Sequence, residues 1–177
     1  MNFFRGLFPN PSIKDPTPDG PASTVVVPDV CFETPAIGQL RFGAPLGDAR
    51  YLGKPDSVRT LRPGYVELLY AKAGFQLDFE DERLACVAFH IGPDSSQPRS
   101  DGLKYSSPWR RGGPRFSSAT TRDDLIRELG EPESVDDSDL DEVIVNFFTN
   151  GLVLEFELNQ TGVLKRWNIY PEEGVLP

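Results

Sequence analysis

VELLYAKAGFQLDFE, residues 66–80, is the stretch on which the fold turns. Val66, Leu68 and Tyr70 alternate with Glu67 and Leu69, and Phe75, Leu77 and Phe79 alternate with Gln76, Asp78 and Glu80. A period of two places one set on a buried face and the other on a hydrated face of a sheet. The AKAG between the runs supplies a glycine where a hairpin needs positive φ, so the segment predicts two antiparallel strands.

Moving 77 residues on, VIVNFFTNGLVLEFE (143–157) lies over the same stretch without a gap. Gly74 falls on Gly151, Leu77 on Leu154, Asp78 on Glu155, Phe79 on Phe156 and Glu80 on Glu157. Upstream, LGKPDSV (52–58) lies over LGEPESV (129–135), and GDARYLG over DLIRELG. Each LGxP step stops a helix, because glycine tolerates the left-handed cap and proline cannot continue the turn. Thr121 with Asp124 forms a capping pair ahead of DDLIREL. A third strand follows each hairpin, through Val87, Phe89 and Ile91 in one copy and Trp167 and Ile169 in the other.

The pattern predicts an α+β protein of two tandem helix-plus-antiparallel-meander repeats, with short helices packed on one face of the sheet. The divisions expected are a Pro-rich N-terminal arm (1–35), repeat unit 1 (36–93), a Gly/Ser/Pro-rich basic loop (94–116) and an acidic repeat unit 2 (117–177). The arm is expected to hold one edge strand near Ser23–Val27. Phe3, Phe4, Leu7 and Phe8 read as a terminal turn that packs onto the domain, or as a short membrane-touching or partner-docking helix.

Residues Leu52-Gly53-Lys54-Pro55 and Leu129-Gly130-Glu131-Pro132, with the glycine-turned hairpins, resemble the helix-plus-meander unit of small outer-membrane lipoprotein domains of the SmpA/OmlA type. Two such units in tandem look like β-lactamase inhibitory protein. The resemblance implies paired sheets that form a concave protein-binding surface.

The chain has 177 residues, 27 acidic and 18 basic, and a net charge of −9. That balance argues against nucleic acid and anionic membranes as partners. Residues 117–177 carry 14 acidic and 4 basic residues, whereas 94–116 carry 2 and 5. The expected function is therefore non-enzymatic binding of another protein of basic character, through Asp78, Glu80, Glu155 and Glu157 on the hydrated sheet face. Trp109, Arg110 and Arg111 form a second candidate, as an anchor for a partner or as a tether to the acidic unit.

Catalysis has little support in the sequence. The one histidine, His90, lies four positions from Cys86 on one strand, roughly 13 Å away and beyond hydrogen-bond reach. EPESVDDSDLDE begins like a calcium loop at Asp137, Asp139 and Asp141, but Glu142 and Phe148 occupy positions that need Gly and Glu. No catalytic residue, cofactor or metal is expected. The alternative is a small-molecule-binding or hydrolytic domain with a cavity between helix and sheet near His90. The N-terminus lacks a secretion signal, and two cysteines make no disulfide framework, so a cytoplasmic location is expected.

Overall fold

The computed structural model describes residues 27–93 and 103–174. Its elements in chain order are β1 (Asp29–Cys31), β2 (Ala36–Ile37), β3 (Leu40–Arg41), a 3-10 helix (Leu46–Leu52), β4 (Ser57–Arg62), β5 (Tyr65–Tyr70), β6 (Phe75–Glu80) and β7 (Arg83–His90). After them come β8 (Trp109–Arg110), α1 (Arg122–Leu129), β9 (Ser134–Asp136), β10 (Glu142–Thr149), β11 (Leu152–Asn159) and β12 (Leu164–Pro171).

The main sheet has eight antiparallel strands in the order β4-β5-β6-β7-β12-β11-β10-β9. The segments aligned by the 77-residue offset occupy corresponding elements. Ser57 and Ser134 each open a strand, as do Phe75 and Leu152. Gly74 and Gly151 both have φ of 75° in their hairpin turns. Gly53 and Gly130 close their helices at φ 83° and 90°. The two meanders meet at β7 and β12, where Val87 pairs with Ile169 and Ala88 with Asn168.

The expected α+β architecture, with helices roofing the sheet, does not hold: among the described residues the chain is mainly β, with one seven-residue 3-10 helix and one eight-residue α-helix. The reason is dimensional. Eight strands span roughly 35–40 Å, whereas an eight-residue helix is about 12 Å long. The 3-10 helix puts only Ala49 and Leu52 among the buried residues, and α1 only Leu125. A second sheet, β3-β2-β1-β8, supplies most of the remaining cover. Its Val30, Ile37 and Leu40, with Phe32, Phe42 and Phe116, join one core with the apolar rows of both meanders.

Trp167 sits at the centre of that core. Phe156 stacks on it at 5.3 Å, Phe116 meets it edge-on at 4.9 Å, and Phe32 of the covering layer reaches it at 6.2 Å. These rings bind the two meanders and the covering layer into one apolar mass. The strand expected near Ser23–Val27 falls, except for Val27, outside the described residues, and so do Phe3, Phe4, Leu7 and Phe8. The described residues contain no helix long and apolar enough to cross a membrane.

Candidate functional site

The opposite face of the eight-stranded sheet is polar, and strand register places its side chains in cross-strand rows. One row runs Arg59, Glu67, Asp78, Cys86 across β4 to β7. The next runs Leu69, Gln76, Ala88, Asn168, Glu155, Asn146. A third runs His90, Arg166, Glu157, Ile144. At the middle of the sheet, β7 presents the small side chains of Cys86 and Ala88 between these long neighbours, with His90 at its end. The result is a concavity of about 280 Å³ lined from six strands, with Arg59, Glu67, Gln76, Asp78, Glu155 and Arg166 among its walls.

The polar groups of this basin are tightly joined. Arg59 Nε donates to Glu67 Oε1 at 2.6 Å. Gln76 Nε2 donates to Asp78 Oδ1 at 2.8 Å, and the Tyr65 hydroxyl lies beside the same carboxylate and favours its charged form. Across the junction, Asn168 Nδ2 donates to Glu155 Oε1 and Glu157 Oε1, each at 2.7 Å. The Tyr170 hydroxyl donates to Glu155 Oε2 at 3.0 Å, and Arg166 Nη1 to Glu157 Oε1 at 3.3 Å. Each half of the sheet thus supplies a guanidinium–carboxylate pair and a carboxylate held by an amide and a tyrosine.

Burial governs the electrostatics. Asp78 is 6% exposed and Glu157 8%. Desolvation pushes the Asp78 carboxyl above its ordinary value; the bonds from Gln76 and Tyr65 pull it down, and the neighbouring Glu67 charge raises it. Glu157 is raised chiefly by burial, against the opposing pull of Arg166 and Asn168. The Cys86 thiol is pushed far up by burial, then by the negative charges of Asp78 and Glu155. Cys86 is accordingly held protonated at neutral pH, the wrong state for a nucleophile.

The residues read from the sequence divide into two places. Asp78, Glu155 and Glu157 come together on the polar face, with Asp78 and Glu157 buried where hydrated carboxylates were expected. Glu80 lies at the end of β6, paired with Arg62 at 2.6 Å. Trp109, Arg110 and Arg111 lie at the small sheet, beyond the core from the basin. Trp109 pairs with Asp29 through the backbone in β8. The Arg110 guanidinium stands 4.9 Å over the Phe32 ring, and Arg111 Nε bonds Asp29 at 2.6 Å. The tether expected between these arginines and the acidic second meander is therefore replaced by one to Phe32 and Asp29.

Cys86 and His90 both line the basin. The cavity near His90 thus lies on the face away from both helices, not between helix and sheet. Sequence reasoning passed over Tyr65, Gln76, Ala88, Asn168 and Tyr170. A signal for the floor was present in RLACVAFHI, where Cys86 and Ala88 are the small residues in the outward-facing register. In the acidic loop, Asp136 accepts from Ser138 and Asp139 from the Asp141 backbone amide.

No protein-family model matches the chain, and neither does any curated protein. Among solved structures, the crystal structure of a DUF4309 family protein (YjgB) from Bacillus subtilis subsp. subtilis str. 168 is similar, at a TM-score of 0.51 and 15% identity. The match covers 77% of this chain and 84% of that one. At that identity the likeness is one of fold.

Proposed function

We propose that this chain is a non-enzymatic protein-binding module that engages its partner through the polar face of the eight-stranded sheet. The observation that carries the reading is the basin over Cys86 and Ala88, where side chains from six strands converge on one concavity. Its walls are held by internal hydrogen bonds, so little side-chain entropy is lost when a partner docks. Catalysis has less in its favour, because the thiol nearest the single histidine is held protonated. The two free cysteines, Cys31 and Cys86, accord with a reducing, cytoplasmic setting.

A small molecule in the same basin is the second reading, favoured by the basin's volume. Sites for drug-sized ligands run from roughly 300 to 1,000 Å³, and this one lies just below that range.

The test uses three baits for capture from the native host: wild type, Ala88→Leu, which fills the basin floor, and Arg41→Glu on the exposed end of the small sheet. A partner that wild type and Arg41→Glu retain, and that folded Ala88→Leu loses, is the expected result. A partner kept by Ala88→Leu and lost by Arg41→Glu would move the binding surface to the small sheet. Release of a small molecule from the purified wild type in native mass spectrometry, with no protein partner, would favour the second reading.

A further inference from the structure

The basin also carries information about what it receives. Its lining holds Glu67, Asp78 and Glu155 against Arg59 and Arg166. Both arginines already hold a carboxylate: Arg59 bonds Glu67 at 2.6 Å and Arg166 bonds Glu157 at 3.3 Å. The ion pairs of the described residues thus leave Asp78 and Glu155 to neutral donors alone, Gln76 with Tyr65 and Asn168 with Tyr170. Arg59 does act on Asp78, as the smallest of the influences on that carboxyl.

Carboxylates given only neutral partners keep an unmet demand for positive charge, most of all Asp78, which is 6% exposed. Each of their four oxygens can accept a second hydrogen bond. Asp78 lies beside Cys86 on the adjoining β6, and Glu155 stands on the other side of β7, beyond β12 in the row of Ala88 and Asn168; both charges reach the Cys86 thiol. An arriving anion would meet guanidinium groups already engaged by carboxylates and two further carboxylates facing it. An arriving cation would meet acceptors that lack a charged partner, in a space with room for the tip of a long side chain.

We infer that the basin over Cys86 and Ala88 receives the cationic tip of an arginine or lysine side chain of a partner protein, with Asp78 and Glu155 as its counter-ions. The inference rests on the protein-binding reading above and names the chemistry of the group bound. Five guanidinium donors, or three ammonium donors, suit the unused acceptor positions.

The full-length protein, labelled with nitrogen-15, is titrated with methylguanidinium, and separately with acetate, while amide shifts are followed. Methylguanidinium should give saturable shifts at Cys86, Ala88 and Asn168, and acetate none there. Asp78→Asn/Glu155→Gln, which keeps shape and hydrogen bonding, should weaken binding by roughly tenfold or more, as expected for loss of charge-assisted bonds. Ala88→Leu, which keeps both carboxylates, should abolish it. Amide spectra of both variants report whether they fold.

Saturation by acetate, unchanged affinity in the Asn/Gln variant, or no saturable shift with methylguanidinium overturns the inference. Tighter saturation of these amides by spermidine than by a peptide containing arginine would reassign the cation to a free polyamine and overturn the partner-protein source. Failure here with partner capture intact removes only the cation; loss of partner capture with these shifts intact removes only the protein-binding reading.

Discussion

Replacing Arg166 by methionine is expected to destabilise the protein strongly at neutral pH and only weakly in mild acid. Arg166 and Glu157 are 16% and 11% exposed in their side chains and lie 3.3 Å apart. Removing the cation leaves a desolvated carboxylate beside Asn168, and breaking one partner of a buried pair costs about 3–5 kcal/mol. The carboxyl has an escape, because it can take up a proton. With an ordinary glutamate value near 4.3, protonation at pH 7 costs at most about 3.7 kcal/mol, and at pH 5 about 1 kcal/mol. The loss in Arg166→Met should therefore be about 3–4 kcal/mol at pH 7 and about 1 kcal/mol at pH 5. In a protein of this size, the former lowers the melting temperature by roughly 6–16 °C.

The sign follows from the direction of the shift. Burial already raises Glu157 in the wild type, so ionising it weakens the fold as pH rises, and losing Arg166 steepens that slope. Urea denaturation of wild type, Arg166→Met, Glu157→Leu and the double variant at both pH values measures the coupling. The double variant, with two apolar groups of similar size, should lie within about 1–2 kcal/mol of wild type. Equal losses at pH 5 and pH 7, or additive losses in the double variant, would refute this account of the pair.

Three further outcomes follow from the same structure. Gly74→Ala should cost more than about 2 kcal/mol in chemical denaturation, because a Cβ there would lie 2.5 Å from the Lys104 carbonyl oxygen in addition to adopting φ 75°; Gly130→Ala, with nothing within 4 Å, should cost only the conformational strain of about 1–2 kcal/mol. Asp78→Asn should gain stability relative to wild type as pH rises from about 4 to 7, since the folded Asp78 carboxyl is raised and its ionisation opposes folding; thermal melts across that range check it. Thr121→Ala should lower the melting temperature by roughly 2–4 °C and reduce, without removing, a loss of stability in wild type between about pH 4 and 2, because the Asp124 carboxyl, depressed to about 2, keeps the bond from the residue-121 backbone amide and that from Arg127 and loses only the hydroxyl.

Strand pairing within each meander was open to reading because its signals are local. Alternation around Gly74 and Gly151, and the stop at Gly53 and Gly130, need only neighbouring residues to be interpreted. The Thr121–Asp124 cap is equally local, and both of its reciprocal hydrogen bonds form. The covering layer was not legible, since β1, β2, β3 and β8 have only two or three residues each. No periodicity can show in so short a strand, and the flanking prolines read as an irregular arm. The width of the roof depends on β7 joining β12, a contact between segments about 80 residues apart in sequence.

The site divides in the same way. Asp78, Glu155 and Glu157 were assigned to the hydrated face by parity alone, and parity does set the face. The burial of Asp78 and Glu157 comes from tall neighbours on adjoining strands, such as Arg59, Tyr65 and Arg166, beside the low floor of Cys86 and Ala88. Only the register of six strands brings those heights together. Arg110 and Arg111 formed a conspicuous motif in one dimension, yet their partners Phe32 and Asp29 lie about 80 residues earlier and keep them away from the basin.

The basin exists only because β7 and β12 lie side by side, since that seam creates its floor. Proton–proton Overhauser measurements on the full-length protein test it most directly. Strong cross-strand contacts between Val87 and Ile169 and between Ala88 and Asn168, with slow amide exchange along both strands, are the predicted result. Rapid exchange along β7 and β12, with contacts confined to β5–β7 on one side and β10–β12 on the other, would mean two separate meanders and no basin.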